Sequence, residues 1–591
     1  MPIKQVPPRP QGLSSRHLPS GQIEMQPIHL VLLWHMHQPD YRNYETGEFT
    51  LPWVYLHAIK DYSDMVAHLE AHPSMKAVVN FVPVLLDQLE DYAAQFASGQ
   101  FRDPLLRLLA TPDLEQVSAR DRIRAFDSCF RSNHVTMMQP YPTYKRLHDM
   151  HETLRARGEA ELSYLSGQYL ADLIVWYHLA WTGESVRRTN EAVVRLMTQD
   201  RGFTHADRID LLNVIGELIQ GLIPRYRKLA ESGQIELSTT PHYHPLAPLL
   251  IDFSSARDSM PEVRLPVEST YPGGKNRVAF QLTSAIESHA SRFGIRPGGV
   301  WPAEGAISTA MLEILADHDC QWSASGENVL ANSLRKSYGG RPLPERGRYL
   351  YKPYHLEGKA NSVTCFFRDE KLSDMIGFEY SKWFGRDAAE HLVHSLEDIG
   401  RNALSGESPV VSIILDGENA WEYYPYNGYY FLNDLYGILE NHPAIEVTTY
   451  KDYLGSIQPA DVVRLPILTA GSWVYGTFST WIGDQDKNCA WDLLCAAKHS
   501  YDLVMQSRRL TEEERAKAER QLASCESSDW FWWLGDYNPP NVVSSFDQLF
   551  RDNLANLYSL LKLPVPVSVH QPISHGGGVV AQESGAMRRA S

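Results

Sequence analysis

Seven short apolar runs, rich in β-branched residues and bounded by Gly, Pro or charge, constrain this chain more than any other feature. They are Ile28–Trp34, Ala77–Phe81, Gln234–Thr239, Gly299–Glu304, Cys320–Ala324, Val363–Arg368 and Val410–Asp416. Each is too short for a helix and reads as a strand buried on both faces of a parallel sheet. Helical patterns separate them, as in Leu51–Glu70, Glu161–Ala180, Arg208–Ser232 and Lys275–Phe293. Seven strands alternating with helices predict a parallel α/β fold, with a TIM-like barrel as the best single choice. An eighth run, Ile445–Tyr450, is weaker.

The spacing also predicts the organisation. Residues 28–450 are expected to form the barrel, interrupted by a helical insertion over about 85–233. Residues 451–563 carry helical patterns (Ala490–Met505, Glu512–Ser524, Phe546–Leu561) and suggest a C-terminal α-helical domain. The Pro- and Ser-rich stretch 1–27 and the Gly-containing stretch 564–591 read as flexible tails.

Composition narrows the functional class. The 591 residues carry a net charge of −16, which argues against nucleic acid or an anionic membrane as partner, since both need clustered Lys and Arg. No apolar run approaches the ~18 residues of a membrane span, and residues 1–27 lack a signal-type apolar segment, so a cytoplasmic location is expected. Six scattered cysteines without a CxxC pair read as reduced, mostly buried thiols. No Walker A, dinucleotide or GxSxG motif is present, which weakens nucleotide and serine-hydrolase readings.

In parallel barrels the chemistry sits where strands end. Here those ends read His35-Met36-His37-Gln38, His242-Tyr243-His244, Trp301-Pro302-Ala303-Glu304, Arg368-Asp369 and Asp416-Gly417-Glu418. Glu304 and Asp416 are each the first ionisable residue after an apolar strand, where burial can tune a pKa. Two such acids are what glycosidic cleavage needs: one protonates the leaving oxygen, the other attacks or stabilises the anomeric carbon. A lone acid at a strand end is better explained as a helix cap or an ion-pair partner; two together with the histidines are not.

His35 and His37 share one face of an extended chain. With His242, His244 and an acid they would suit a metal site of the deacetylase or mannosidase kind, or else donate hydrogen bonds to sugar hydroxyls. Aromatic clusters around Trp421, Trp473 with Trp481, and Trp530 offer flat faces for pyranose rings, although core packing accounts for many such residues equally well.

The motifs His35-Met36-His37-Gln38-Pro39, Gly233–Pro245, Trp301-Pro302-Ala303-Glu304, Leu415-Asp416-Gly417-Glu418-Asn419 and Ser472-Trp473 through Trp491 together resemble glycoside hydrolase family 57, its amylopullulanase and α-amylase-like members, over roughly Ile28 to Asn538. Phe367-Arg368-Asp369 with Leu372-Ser373-Asp374 is similar to a family substrate loop. The resemblance implies an incomplete (β/α)7 barrel with a helical C-terminal region, retaining chemistry on α-glucan or malto-oligosaccharide substrates, Glu304 as nucleophile, Asp416 as acid/base, and no catalytic metal or other cofactor. Substrate contacts are expected from His35, His37, Gln38, His244, Trp301, Arg368, Asp369, Asp374, Trp421, Trp473, Trp481 and Trp530. The expected activity is hydrolysis of α-1,4 bonds, with α-1,6 bonds as a second target. A 4-α-glucanotransferase is the alternative; a non-catalytic glucan-binding protein and a metal-dependent deacetylase or mannosidase stand behind it.

Overall fold

A computed structural model of the chain describes residues 25–339 and 341–578. Its strands, in chain order, are β1 (Ile28–Met36), β2 (Ala77–Phe81), β3 (Ile235–Thr239), β4 (Gly299–Val300), β5 (Trp322–Gly326), β6 (Tyr354–Leu356), β7 (Thr364–Arg368), β8 (Val410–Asp416), β9 (Ile445–Thr448) and β10 (Val463–Leu465). Seven form a parallel ring in the order β1-β2-β3-β4-β5-β7-β8, with β8 lying along β1 from His29↔Val410 to His35↔Asp416. The ring closes on one pair, Arg368↔Ser412. A parallel seven-stranded barrel is therefore the observed fold, and the helices around it bury both faces of β1, in which every residue but His29 is buried.

The remaining strands sit outside the ring. β6 runs antiparallel to β7 and pairs with β10, while β9, the eighth apolar run, lies beside the first half of β1. The fourth run is the one that departs most from expectation: β4 stops at Val300, four residues before Glu304. Pro302 has no N–H for a ladder, and Glu304 takes φ 59°, so the chain turns out of the sheet there.

Inward side chains fill the barrel. Val31, Leu33, Val78, Trp322, Phe366 and Ile414 pack with Tyr450 and Tyr453, and the Tyr450 ring stacks on Phe366 at 4.3 Å. The helix Tyr450–Ser456 thus plugs the end where the strands begin, which leaves the opposite end open. Helices from Pro83–Ser98 to His205–Glu231 form the insertion between β2 and β3. The last of these starts at a Thr204–Asp207 capping box that satisfies otherwise orphaned N–H groups.

After the barrel come helices Gln485–Ser507, Glu512–Cys525, Ser528–Trp533 and Pro540–Leu560. The expectation of a loose tail from residue 564 needs correction over 564–578. Ile573 N–H donates to Asp547 at 2.8 Å, Gly577 N–H to the Asp536 carbonyl at 2.9 Å, and Val569 is buried. Val569, with Val565 and Ile573 packed against the same core, and a set of backbone donors dock it. The expected tails at 1–24 and 579–591 lie outside the described residues. No helix among the described residues is long and apolar enough to cross a membrane.

Candidate active site

A cleft of about 1060 Å³ opens at the C-terminal ends of the strands. Its lining includes His35, His37, Gln38, His244, Glu304, Arg368, Asp374, Asp416 and Trp473 from the sequence expectations. It also includes Glu418 of the Asp416-Gly417-Glu418 strand end, Trp532 and Trp533 of the aromatic cluster around Trp530, and Trp53, together with Trp181 and Asp529, which no motif of the sequence had singled out.

Glu304 holds the floor. Its backbone is left-handed, φ 59°, a conformation costly for a residue with a Cβ. The Trp473 N–H donates to the Glu304 carbonyl at 3.0 Å, and the neighbouring Ser325 hydroxyl donates to the Gly305 carbonyl at 2.5 Å, so the turn is tied from two sides. The Glu304 carboxyl meets Trp473 Nε1 at 3.2 Å and Ser528 Oγ at 3.2 Å. Asp416 ends β8, and its Oδ2 accepts from Asn419 Nδ2 at 2.7 Å.

Burial pushes the Glu304 carboxyl up to about 8, with the charges of Asp529 and Asp416 adding to it and the two hydrogen bonds opposing it. Asp416 is also raised by burial, against the opposing pull of Asn419, His37 and Arg368. Glu418 is raised well above its ordinary value by burial and by Asp416. Burial and the neighbouring negative charges both favour the protonated form of these acids.

His244 adopts a second left-handed backbone, φ 57°. Its carbonyl accepts the Ser528 N–H at 2.9 Å, and Pro245 bridges Ser527. The helix Ser528–Trp533 is therefore fastened directly to a barrel loop. It delivers Asp529, whose oxygens lie 2.9 and 3.1 Å from His37 Nε2. Burial lowers His35 to about 3 and drives His244 well down, with neighbouring imidazoles adding to it. Both are neutral rings near pH 7.

His37, His244 and Asp529 bring three possible metal-ligand atoms within 4.8 Å of one another. The two rings, however, stack 3.8 Å apart at 20°, so their in-plane lone pairs run side by side and do not converge as a tetrahedral site requires. Both His244 nitrogens already face partners, Ser528 Oγ at 2.9 Å and His35 Nε2 at 3.2 Å. The arrangement suits hydrogen bonding better than metal ligation.

Five expected contact residues lie away from the cleft surface. Asp369 caps helix Glu370–Asp374 and pairs with Arg346 at 2.8 Å, because its carboxylate points back into the barrel wall. Trp301, Trp421, Trp481 and Trp530 are fully buried. Trp421 and Trp530 spend their indole N–H on the Gly417 and Ser524 carbonyls. Trp301 stands behind His35 and Trp473, and Trp481 behind Trp532. These rings pack behind lining residues and are not part of the cleft surface. Glu418 Oε2 and His37 Nδ1, by contrast, are buried in the lining without a hydrogen-bond partner.

A seven-stranded parallel barrel with paired acids under an aromatic cleft defines an enzyme of the glycoside hydrolase type. The chain belongs to glycosyl hydrolase family 57, whose model matches residues 31–466. Three crystal structures share the fold. A family 57-type branching enzyme from Pyrococcus horikoshii has a TM-score of 0.54 at 15% identity, over 94% of this chain and 98% of that one. A family 57 branching enzyme from Thermococcus kodakaraensis gives 0.54 at 15%, over 95% and 100%. An α-amylase from Thermotoga maritima gives 0.53 at 12%, over 91% and 93%. No curated protein matches the chain in sequence.

Proposed function

We propose that the protein cleaves α-1,4-glucosidic bonds of α-glucans by double displacement with retention, Glu304 attacking the anomeric carbon and Asp416 protonating the leaving oxygen. The observation that carries the reading is the pair itself: one acid on the turn after β4 and one at the end of β8, both lining one cleft. Trp473 Nε1 is a donor only, so it favours the charged form of Glu304 that a nucleophile must reach. Asp416 has one oxygen bound by Asn419, which orients the carboxyl for proton transfer. Glu418 Oε2 and His37 Nδ1 are suited to substrate hydroxyls, being buried polar atoms in need of partners.

A second reading, transfer to a sugar acceptor, draws on the aromatic lining. It comes from two parts of the chain, Trp53 and Trp181 at 5.5 Å, and Trp533 stacked on Phe546 at 4.7 Å. Donor and acceptor chains would each need such a platform. The related structures named as branching enzymes and α-amylase span both outcomes. Incubation with amylose and with maltotriose separates them. Reducing ends that accumulate without longer products support hydrolysis; longer or branched products without new reducing ends support transfer. No turnover of either, in protein that binds them, overturns both.

A further inference from the structure

A chain of short contacts runs from Glu304 into the barrel wall. Glu304 Oε1 meets Ser528 Oγ at 3.2 Å, Ser528 Oγ meets His244 Nδ1 at 2.9 Å, and His244 Nε2 meets His35 Nε2 at 3.2 Å. His35 Nδ1 then meets the Asn80 side-chain amide at 2.7 Å. We propose that Asn80, His35, His244 and Ser528 are positioning residues whose hydrogen-bond direction reverses together with the charge on Glu304.

The number of available protons fixes the direction of every link. Each neutral imidazole has one N–H and one acceptor nitrogen, and a serine hydroxyl has one proton. Once the direction of one link is set, every other link follows. With Glu304 protonated, its O–H donates to Ser528, Ser528 to His244 Nδ1, His244 Nε2–H to His35 Nε2, and His35 Nδ1–H to the Asn80 oxygen. With Glu304 charged, one proton leaves to solvent in the cleft and three remain. They sit on Ser528 Oγ, which donates to Glu304, on His244 Nδ1 and on His35 Nε2. His35 Nδ1 now accepts, so Asn80 must present its nitrogen.

The surroundings of Asn80 allow that turn. Thr240 Oγ1 donates to the Trp301 carbonyl at 2.7 Å and can therefore accept from the amide 3.0 Å away. Ser238 Oγ, 3.0 Å from the other arm, can donate or accept. With the amide nitrogen toward His35 and Thr240 every link is made; with the oxygen there, the one Thr240 proton is shared between the Trp301 carbonyl and Asn80 Oδ1. The groups that face this chain are Asp529 and Asp416 beside Glu304, His37 stacked on His244, and Arg368 over the Trp473 ring. Asp529 Oδ2 also lies 3.9 Å from His244 Nδ1, beyond hydrogen-bond reach but near enough to favour a proton there, and none of these groups replaces a link of the chain.

Glu304→Gln gives a clean prediction. Trp473 Nε1 can only donate, so the glutamine oxygen faces it and the amide nitrogen donates to Ser528. That locks the direction found with protonated Glu304.

The test is 15N NMR of the full-length protein labelled at histidine, which distinguishes a protonated from an unprotonated ring nitrogen. His244 is expected to carry its proton on Nε2 below pH ~7 and on Nδ1 above ~9, around the value of about 8 for Glu304. In Glu304→Gln it should stay on Nε2 throughout. A single His244 tautomer across the titration, or Nδ1–H in Glu304→Gln, overturns the proposal. Ser528→Ala cuts the chain: the His244 switch should vanish, and the acid limb of kcat/KM should rise by about one pH unit, which Ser528→Thr restores. An unmoved limb with only a lower kcat would mean that Ser528 is merely structural, against the proposal. The kinetic part rests on Glu304 being the nucleophile. If it is not, the tautomer switch persists while the acid limb ignores it.

Discussion

Glu304 and Asp416 share a cleft, but their proposed roles are opposite, and chemical rescue separates them. Glu304→Ala should form no glycosyl-enzyme, so azide attacks an α-glucosyl fluoride directly and yields the β-azide. Asp416→Ala still forms the intermediate from that donor, whose leaving group needs little protonation, and azide then yields the α-azide. The reverse pattern, read by NMR of the anomeric proton, means the roles are exchanged. Asp529 should act on the same pair through its charge. It helps to raise Glu304, so Asp529→Asn removes a negative neighbour and lowers the pH at which Glu304 ionises. The acid limb of kcat/KM should move to lower pH by about 0.5–1 unit, although the rate falls because His37 exchanges a charged partner for a neutral amide. The cleft positions of Glu304 and Asp416 were legible because each stands at the end of an apolar run. Asp529 was not, since it sits in an aromatic-rich segment and meets His37 across 492 positions of sequence.

At the level of elements, buried parallel strands announce themselves because both faces are apolar, and β2 and β8 coincide with the runs Ala77–Phe81 and Val410–Asp416. Turns that leave the sheet do not. The turn after β4 depends on Glu304 and Gly305 both holding positive φ, 59° and 56°, and no apolar pattern encodes that. The consequence is testable at Gly305. A Cβ there would lie 2.7 Å from Cη2 of Trp301, a ring already packed behind His35 and Trp473. Gly305→Ala should cost about 1–3 kcal/mol of stability from backbone strain and displaced indole together. It should also lower kcat by tenfold or more, because the same turn aims the Glu304 carboxyl. A stable, fully active Gly305→Ala would show that the turn tolerates what its geometry forbids. Aromatic residues were the least legible class for the same reason: Trp473 and Trp530 look alike in sequence, and only packing decides that one lines the cleft and the other supports it.

At the scale of the molecule, the site joins the barrel to the C-terminal helices, with Ser528 bonded to both His244 and Glu304 and Arg277 on the barrel side holding Glu526 at 2.8 Å. Folding must therefore bury a cluster of acids, and stability should record it. A carboxyl whose folded pKa lies above its unfolded one binds more protons in the native state, so stability falls as pH rises through that interval. Glu304, raised to about 8, Glu236, raised to about 7 by burial, and the upward-shifted Asp416 and Glu418 all act in this direction above their ordinary range near 4. Buried histidines act oppositely: His35, His68 and His178 lie at about 3, 4 and 4, so their contribution rises with pH up to the ordinary value near 6.5 and is constant beyond it. Between pH 6.5 and 8 the acids alone remain, and stability should decline. Glu304→Gln removes one acid that titrates in that window. It should flatten the decline and be more stable than the natural chain at pH 8 by about 1–3 kcal/mol, with little difference at pH 5. Urea unfolding at the two pH values measures this; an equal loss of stability in both proteins from pH 6.5 to 8 would mean that Glu304 is already charged at neutral pH, and that the hydrogen bonds from Trp473 and Ser528 outweigh burial and the charge of Asp529.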